Sequence, residues 1–382
     1  MKVIYYWSPC LTPVGTVKST INSAVALSKY NKDYQVKILN VFGEWDEYKS
    51  FLDKNDVEIL DLVGFNYKNF LPKYGFIGSR FSYFVIMFIS IFPLFKILKK
   101  TKPDYLIIHL LTSIPLLLFN LFNFDTKLIL RISGFPKLNF FRKLLWQRSK
   151  NLIFKITCPS KELLSDLESL SIFPKNKLSL LYDAIINVKE FRKKKYYQKL
   201  LPENFTNKNF FLSIGRFTKQ KNYIYLVKEF AKFYQKNPDE KLLIIGNGEL
   251  KDNIKKEIDK LNLSNSIKIL SQTDNVYYYM RKSKGFILSS LWEEIGFVIV
   301  EAAMSNTAVI SSDCKNGPKE FLTYGKGGFL YESNKSDSLS VLLNSFIKTD
   351  SSSLIKKRIN AKKNCKNFSM FGHQIILSKI LS

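Results

Sequence analysis

The chain has 382 residues, 46% of them hydrophobic, and a formal net charge of +27. The length predicts two domains rather than one, and the apolar content excludes wholesale disorder. The scattered Cys10, Cys158, Cys314 and Cys365 exclude a Cys-x-x-Cys zinc site and a disulfide framework and fit a reducing cytoplasm.

In chain order, Val3–Trp7 reads as a first buried strand, too short for a signal-peptide core. The loop from Ser8 to Thr16, which holds Gly15, follows it, and Val36–Val41 is the next strand. Phe81–Leu98 and Tyr105–Phe124 are apolar enough to be weighed as membrane spans, which need about 20 consecutive apolar residues. Pro93 lies in the first, and His109, Pro115 and Asn120 in the second. Strand-plus-helix core segments are therefore expected for both. Tyr105–His109 and Lys127–Ile132 read as strands, with His109 ending the first and Arg131 near the end of the second. Between residues 96 and 155 the only acids are Asp104 and Asp125. In that stretch Phe140, Phe141, Leu144, Leu145 and Trp146 interleave with Arg142, Lys143, Arg148 and Lys150. Such a helix either lies in an anionic membrane interface or packs its apolar face on a sheet.

The charged stretch 189–208, with Arg192 to Lys195 and Pro202, is expected to be a linker. It separates an amino-terminal domain, 1–188, from a second domain, 209–364. Residues 365–382 are expected to form a helix that packs back on the first domain. In the second domain the strand Phe210–Ile214 ends at Gly215, where the backbone must turn tightly. Arg216 and Lys221 come next, then an amphipathic helix through Leu226, Val227 and Phe230. Two cations at a strand end can neutralise a diphosphate or simply form a solvated basic turn. The strand Leu242–Ile245 leads into Gly246-Asn247-Gly248, which lacks the third glycine of a dinucleotide loop and reads equally as an ordinary turn. Leu250, Ile254, Ile258 and Leu261 form one helical stripe.

Ile267–Leu270, Phe286–Ser289 and Ala308–Ser311 are the later strands. Between the last two, Gly296 opens a helix whose first amides, Phe297 and Val298, offer unpaired N–H groups and a positive dipole end to an anion. Glu301, about one and a half turns in, would suit hydroxyl groups beside that anion. Taken alone, Glu293 and Glu301 read as readily as a solvated face. Strands alternating with helices imply parallel sheets, so the fold class is α/β: two doubly wound, Rossmann-like domains facing across a cleft, with ligands beyond the carboxyl ends of the strands.

The ordered set Gly215-Arg216, Lys221, Gly246-x-Gly248 and Glu293-x7-Glu301, followed by Val309 to Leu322 with Gly317-Pro318 and Glu320, resembles family 4 retaining glycosyltransferases of the GT-B fold. The likeness is strongest to bacterial members that build surface polysaccharide, lipopolysaccharide or lipid-linked glycans. It covers residues 205–335 well and the first half loosely. The resemblance implies that Arg216 and Lys221 bind the donor diphosphate and that Glu301 holds the ribose. Glu293 would face the donor sugar, and Phe297 and Val298 would cradle the distal phosphate. Gly15, Gly215, Gly246 and Gly296 would line the donor, with His109 and Arg131 on the acceptor side. Glu293, Arg216 and Lys221 are the candidate catalytic groups. One departure is Glu294, where many relatives carry glycine.

No Asp-x-Asp pair occurs in the sequence, so cations and a helix dipole would do the work of a metal, and neither metal nor cofactor is expected. The implied partners are a nucleotide-sugar donor, a glycan or polyprenyl-diphosphate-linked acceptor and an anionic membrane. The implied place is the cytoplasm, at the inner face of a bacterial plasma membrane. Two other readings stay open: an epimerase or phosphorylase of the same fold, and a basic nucleic-acid-binding protein, for which no recognition module, Walker loop or zinc spacing is found.

Overall fold

The computed structural model describes residues 1–11, 15–72, 76–135 and 138–382. The chain forms two compact units, residues 1–185 with 370–382 and residues 186–369. In the first unit the elements run β1 (Lys2–Trp7), α1 (Gly15–Tyr30), β2 (Tyr34–Asn40), α2 (Lys49–Asp53), β3 (Val57–Asp61), α3 (Phe76–Thr101), β4 (Tyr105–Ile108) and α4 (Ser113–Leu121). They continue with β5 (Lys127–Arg131), α5 (Phe140–Ser149), β6 (Ile153–Cys158), α6 (Lys161–Ser169) and β7 (Leu178–Leu180).

The second unit runs α7 (Val188–Lys194), β8 (Phe210–Ile214), α8 (Tyr223–Tyr234), β9 (Lys241–Ile245), α9 (Lys251–Lys260), β10 (Ile267–Leu270), α10 (Val276–Lys282) and β11 (Gly285–Leu288). It ends with α11 (Phe297–Met304), β12 (Ala308–Ser312), α12 (Pro318–Phe321), β13 (Phe329–Tyr331), α13 (Ser338–Ile347) and α14 (Ser351–Asn364). A last helix, α15 (Met370–Leu381), belongs to the first unit.

Both sheets are parallel. The first has seven strands in the order β3-β2-β1-β4-β5-β6-β7 and the second six in the order β10-β9-β8-β11-β12-β13. Helices cover both faces, so the strands are near-continuous apolar runs such as Phe210–Ile214 and Leu242–Ile245, all buried. In each sheet the winding reverses beside the unit's first strand, between β1 and β4 and between β8 and β11. That switch point is where doubly wound sheets leave room for a ligand beyond their carboxyl ends.

Two expectations need correction. The stretch 189–208 is not a free linker: α7 lies in it, and Phe191 is buried and meets Tyr277 of α10 edge-on, 5.1 Å between ring centroids. Phe205 is buried too, against Phe210, and cationic composition masked both apolar anchors. Phe81–Leu98 is not strand plus helix but the middle of one long helix, α3. Among the described residues its part Arg80–Thr101 is the one helix long and apolar enough to cross a membrane. Tyr105–Phe124 does resolve into a strand and a helix.

Helix α15 packs on α1 and completes the core of the first unit through Met370, Leu377, Ile380 and Leu381. His373 fixes it. Its Nδ1 lies 2.6 Å from the carbonyl oxygen of Tyr182 and must donate there, so Nε2 accepts from the Ser23 hydroxyl at 2.7 Å. Ser23 Oγ is then left to accept from the Tyr6 hydroxyl at 2.9 Å. Burial, aided by the Arg131 charge, pushes the His373 pKa down to about 4, in keeping with a neutral ring.

Candidate active site

The carboxyl ends of β8 and β9 are braced on each other. Phe217 N donates to Asn247 O at 2.8 Å, and Leu250 N donates to Phe217 O at 3.0 Å. A Cβ on Gly246 would stand 1.9 Å from the Gly215 carbonyl oxygen, so only glycine fits. This close approach gives Gly246 a packing reason for its place, whatever it does toward a phosphate. Arg216, between these turns, is exposed.

Lys221 and Glu293, 72 residues apart in sequence, are brought together as an ion pair between Nζ and Oε1. The two side chains are only 13% and 8% exposed. Ser290 Oγ donates to the same Glu293 oxygen at 2.6 Å, and Ser289 Oγ donates to Lys221 O at 2.7 Å. Gln220 ties the two loops again, its backbone carbonyl accepting from Leu291 N at 2.8 Å and its side-chain Nε2 donating to Trp292 O at 2.8 Å. The segments after β8 and β11 thus form one rigid corner at the switch point. Cys314, beyond β12, is near enough that the Glu293 charge adds to burial in pushing its thiol up to about 11.

Gly296 caps α11 with φ of 75°, and Ile299 N donates back to Gly296 O at 2.9 Å. The amides of Phe297 and Val298 are the first in α11 and have no intrahelical carbonyl to reach. Glu301 is buried in the second turn. Behind this loop, a Cβ on Gly317 would meet the Glu294 carbonyl oxygen at 2.0 Å, so the α12 entry is the wall that shapes residues 293–296. Arg216, Lys221, Glu293 and α11 therefore gather at the carboxyl ends of adjacent strands in one unit.

The candidates in the first unit have different surroundings. Gly15 opens α1, while residues 12–14 of its loop lie outside the described residues. Arg131 is paired with Asp183, whose other partner is the Ser19 hydroxyl, donating at 2.6 Å, and all three are buried. His109 Nε2 meets Ser133 Oγ, and its Nδ1 lies 3.4 Å from Thr20 Oγ1. Burial, then the Arg131 charge, pushes the His109 pKa down to about 3, so the ring is neutral. Ser19, Thr20, His109 and Arg131 line a small cavity with Tyr6 and Ser23.

Reading the sequence did not single out Ser290, Gln220, Ser312 (which donates to Ser290 O at 2.7 Å) or the Lys221–Glu293 contact. The paired serines at the ends of β11 and β12 were the available signal.

Residues 201–368 match the family described as glycosyl transferases group 1. An uncharacterized glycosyltransferase of Methanocaldococcus jannaschii is 29% identical over 82% of this chain and 76% of its own length. The N-acetylgalactosamine-N,N'-diacetylbacillosaminyl-diphospho-undecaprenol 4-alpha-N-acetylgalactosaminyltransferase of Campylobacter jejuni is 33% identical over 50% of each chain. The chain thus spans about half the length of that second relative. A crystal structure of Anabaena HepE in complex with UDP superposes with a TM-score of 0.73 at 16% identity, over 100% of this chain and 99% of that one. Residues 201–368 thus match the glycosyl transferases group 1 family, and the chain has the GT-B fold of a glycosyltransferase.

Proposed function

We propose that the chain moves a hexose from a nucleoside diphosphate sugar to a lipid-linked glycan acceptor, with retention of anomeric configuration and without a metal. The observation that carries this reading is the corner where Lys221, Glu293 and Ser290 join, with Arg216 and the first amides of α11 in the same unit. Cleaving the bond from the anomeric carbon to phosphate leaves charge on the diphosphate. Arg216, Lys221 and the amides of Phe297 and Val298 supply fixed positive potential for it. The acceptor oxygen bonds to the anomeric carbon on the face the phosphate leaves, and its proton passes to the departing phosphate oxygen. No protein nucleophile is needed. Glu293 positions Lys221 and accepts from sugar hydroxyls, and Glu301 accepts from the ribose.

The relatives support the substrate classes: one is named for an undecaprenol-diphosphate acceptor and another binds UDP. An acceptor of that kind sets the reaction at the cytoplasmic face of the membrane. The test is to incubate the protein with nucleotide sugars and a polyprenyl-diphosphate-linked saccharide, with and without EDTA, and to read the product linkage by NMR. An α-linked product from an α-linked donor that forms in EDTA is expected. Inversion, or an absolute metal requirement, would sink the mechanism.

A further inference from the structure

Helix α3 carries a row at four-residue spacing that its core packing leaves uncovered: Arg80, Phe84, Phe88, Phe92, Lys96 and Lys100, all exposed. The phenylalanines are 59%, 72% and 68% exposed. The opposite row, Ser82, Ile86, Ser90, Leu94 and Leu98, is buried in the first unit. Helix α3 packs on α4 and α4 on α5, and Leu121 of α4 and Phe140 and Phe141 of α5 are exposed as well. No acidic residue occurs between Asp61 and Asp104.

We propose that the α3 face lies in the plane of an anionic lipid bilayer, with the three phenylalanines among the acyl chains and the flanking cations at the lipid phosphates. The buried row argues against crossing: pulling α3 through a bilayer would strip Ile86, Leu94 and Leu98 from the core, and β4 begins only four residues after α3 ends. An aromatic row with cations at both ends and no acid matches a surface that is apolar just beneath a layer of phosphates. Aspartate or glutamate would be needed to pair the cations if the occupant were an ordinary polar protein surface of balanced charge. The inference rests on the reading of a membrane-bound acceptor and names the surface that meets it.

Flotation of the full chain with phosphatidylglycerol vesicles, against phosphatidylcholine vesicles at low salt, tests it. The wild type should float with the anionic vesicles. Combined Phe84→Ser, Phe88→Ser and Phe92→Ser should reduce that by more than about tenfold, while Lys96→Gln with Lys100→Gln should remove the preference for anionic lipid. A Phe88→Trp reporter should be quenched by lipids brominated high on the chain more than by those brominated at the bilayer centre. No flotation of the wild type, unchanged flotation of the triple variant, or self-association that the triple variant abolishes without any lipid binding overturns the proposal. Transfer to a detergent-dispersed acceptor separates the two readings. If it persists in the triple variant, the chemistry stands apart from the docking; if the wild type floats yet transfers nothing, the reading of function falls alone.

Discussion

Among the described residues each unit holds a nearly buried cation–carboxylate pair, Arg131–Asp183 in the first and Lys221–Glu293 in the second, and the two are set in unlike ground. The first is enclosed by Ser19, His109 and, through the α15 anchor, His373. Asp183 is held ionised below its usual range against its own burial, by Arg131 first and then by the Ser19 hydroxyl. The second pair sits on turns, beside glycines that admit no side chain and at the start of a helix with unpaired amides. A buried ion pair is weak evidence of stability in itself. What surrounds it decides whether it locks a core or waits for a third charge.

Three measurements can break that distinction. Asp183→Ala should cost about 3–5 kcal/mol by leaving the Arg131 guanidinium buried and alone. Denaturant melts should show this, with nucleotide binding by the folded fraction unchanged; a milder loss would mean that Arg131 swings out to water. Lys221→Ala should instead slow transfer by about 10²–10³-fold, as loss of a charge-stabilising donor does, and move the melting midpoint less. Equal effects of both variants on stability and rate would erase the contrast.

Acid should separate the units more gently. Both histidines of the chain, His109 and His373, lie in the first unit with pKa values pushed down to about 3 and about 4. Their unfolded forms take up protons near 6.5 while the folded forms do not, so they withdraw stability as pH falls from there. Glu44 acts with the opposite sign. Burial, only partly offset by backbone amides of Phe42 and Val41, lifts its pKa to about 7, so between 4.5 and 7 the folded form holds the extra proton. Two protons against one leave a net loss of about 1.4 kcal/mol per pH unit between roughly 6.5 and 4.5. Glu44→Gln should steepen this, and a flat acid limb in that variant would contradict the buried neutral histidines.

Much of this was legible in residue order. Strands such as Ile267–Leu270 are dictated by apolar runs between turn signals, and the elements β8, β9, β11 and β12 fall within a residue or two of where periodicity placed them. The helix start at Gly296 was legible because glycine before an apolar run can be little else. What could not be read is what three dimensions alone bring together. Lys221 and Glu293 are 72 residues apart, and nothing in either segment announces the partner. The exposed row of α3 was hidden for a different reason: phenylalanine reads as core in any one-dimensional count, and only the buried row behind it shows which phenylalanines are left outside.

The return of α15 to the first unit has a consequence for how the polypeptide reaches its folded state. Residues 186–369 form a continuous unit that can close as soon as they leave the ribosome, whereas Ser23, Tyr6 and the Tyr182 carbonyl wait for His373. The earlier-made of the two units is therefore the later to be finished, and until residues 370–382 arrive its apolar groove between α1 and the sheet stands open to chaperones and proteases.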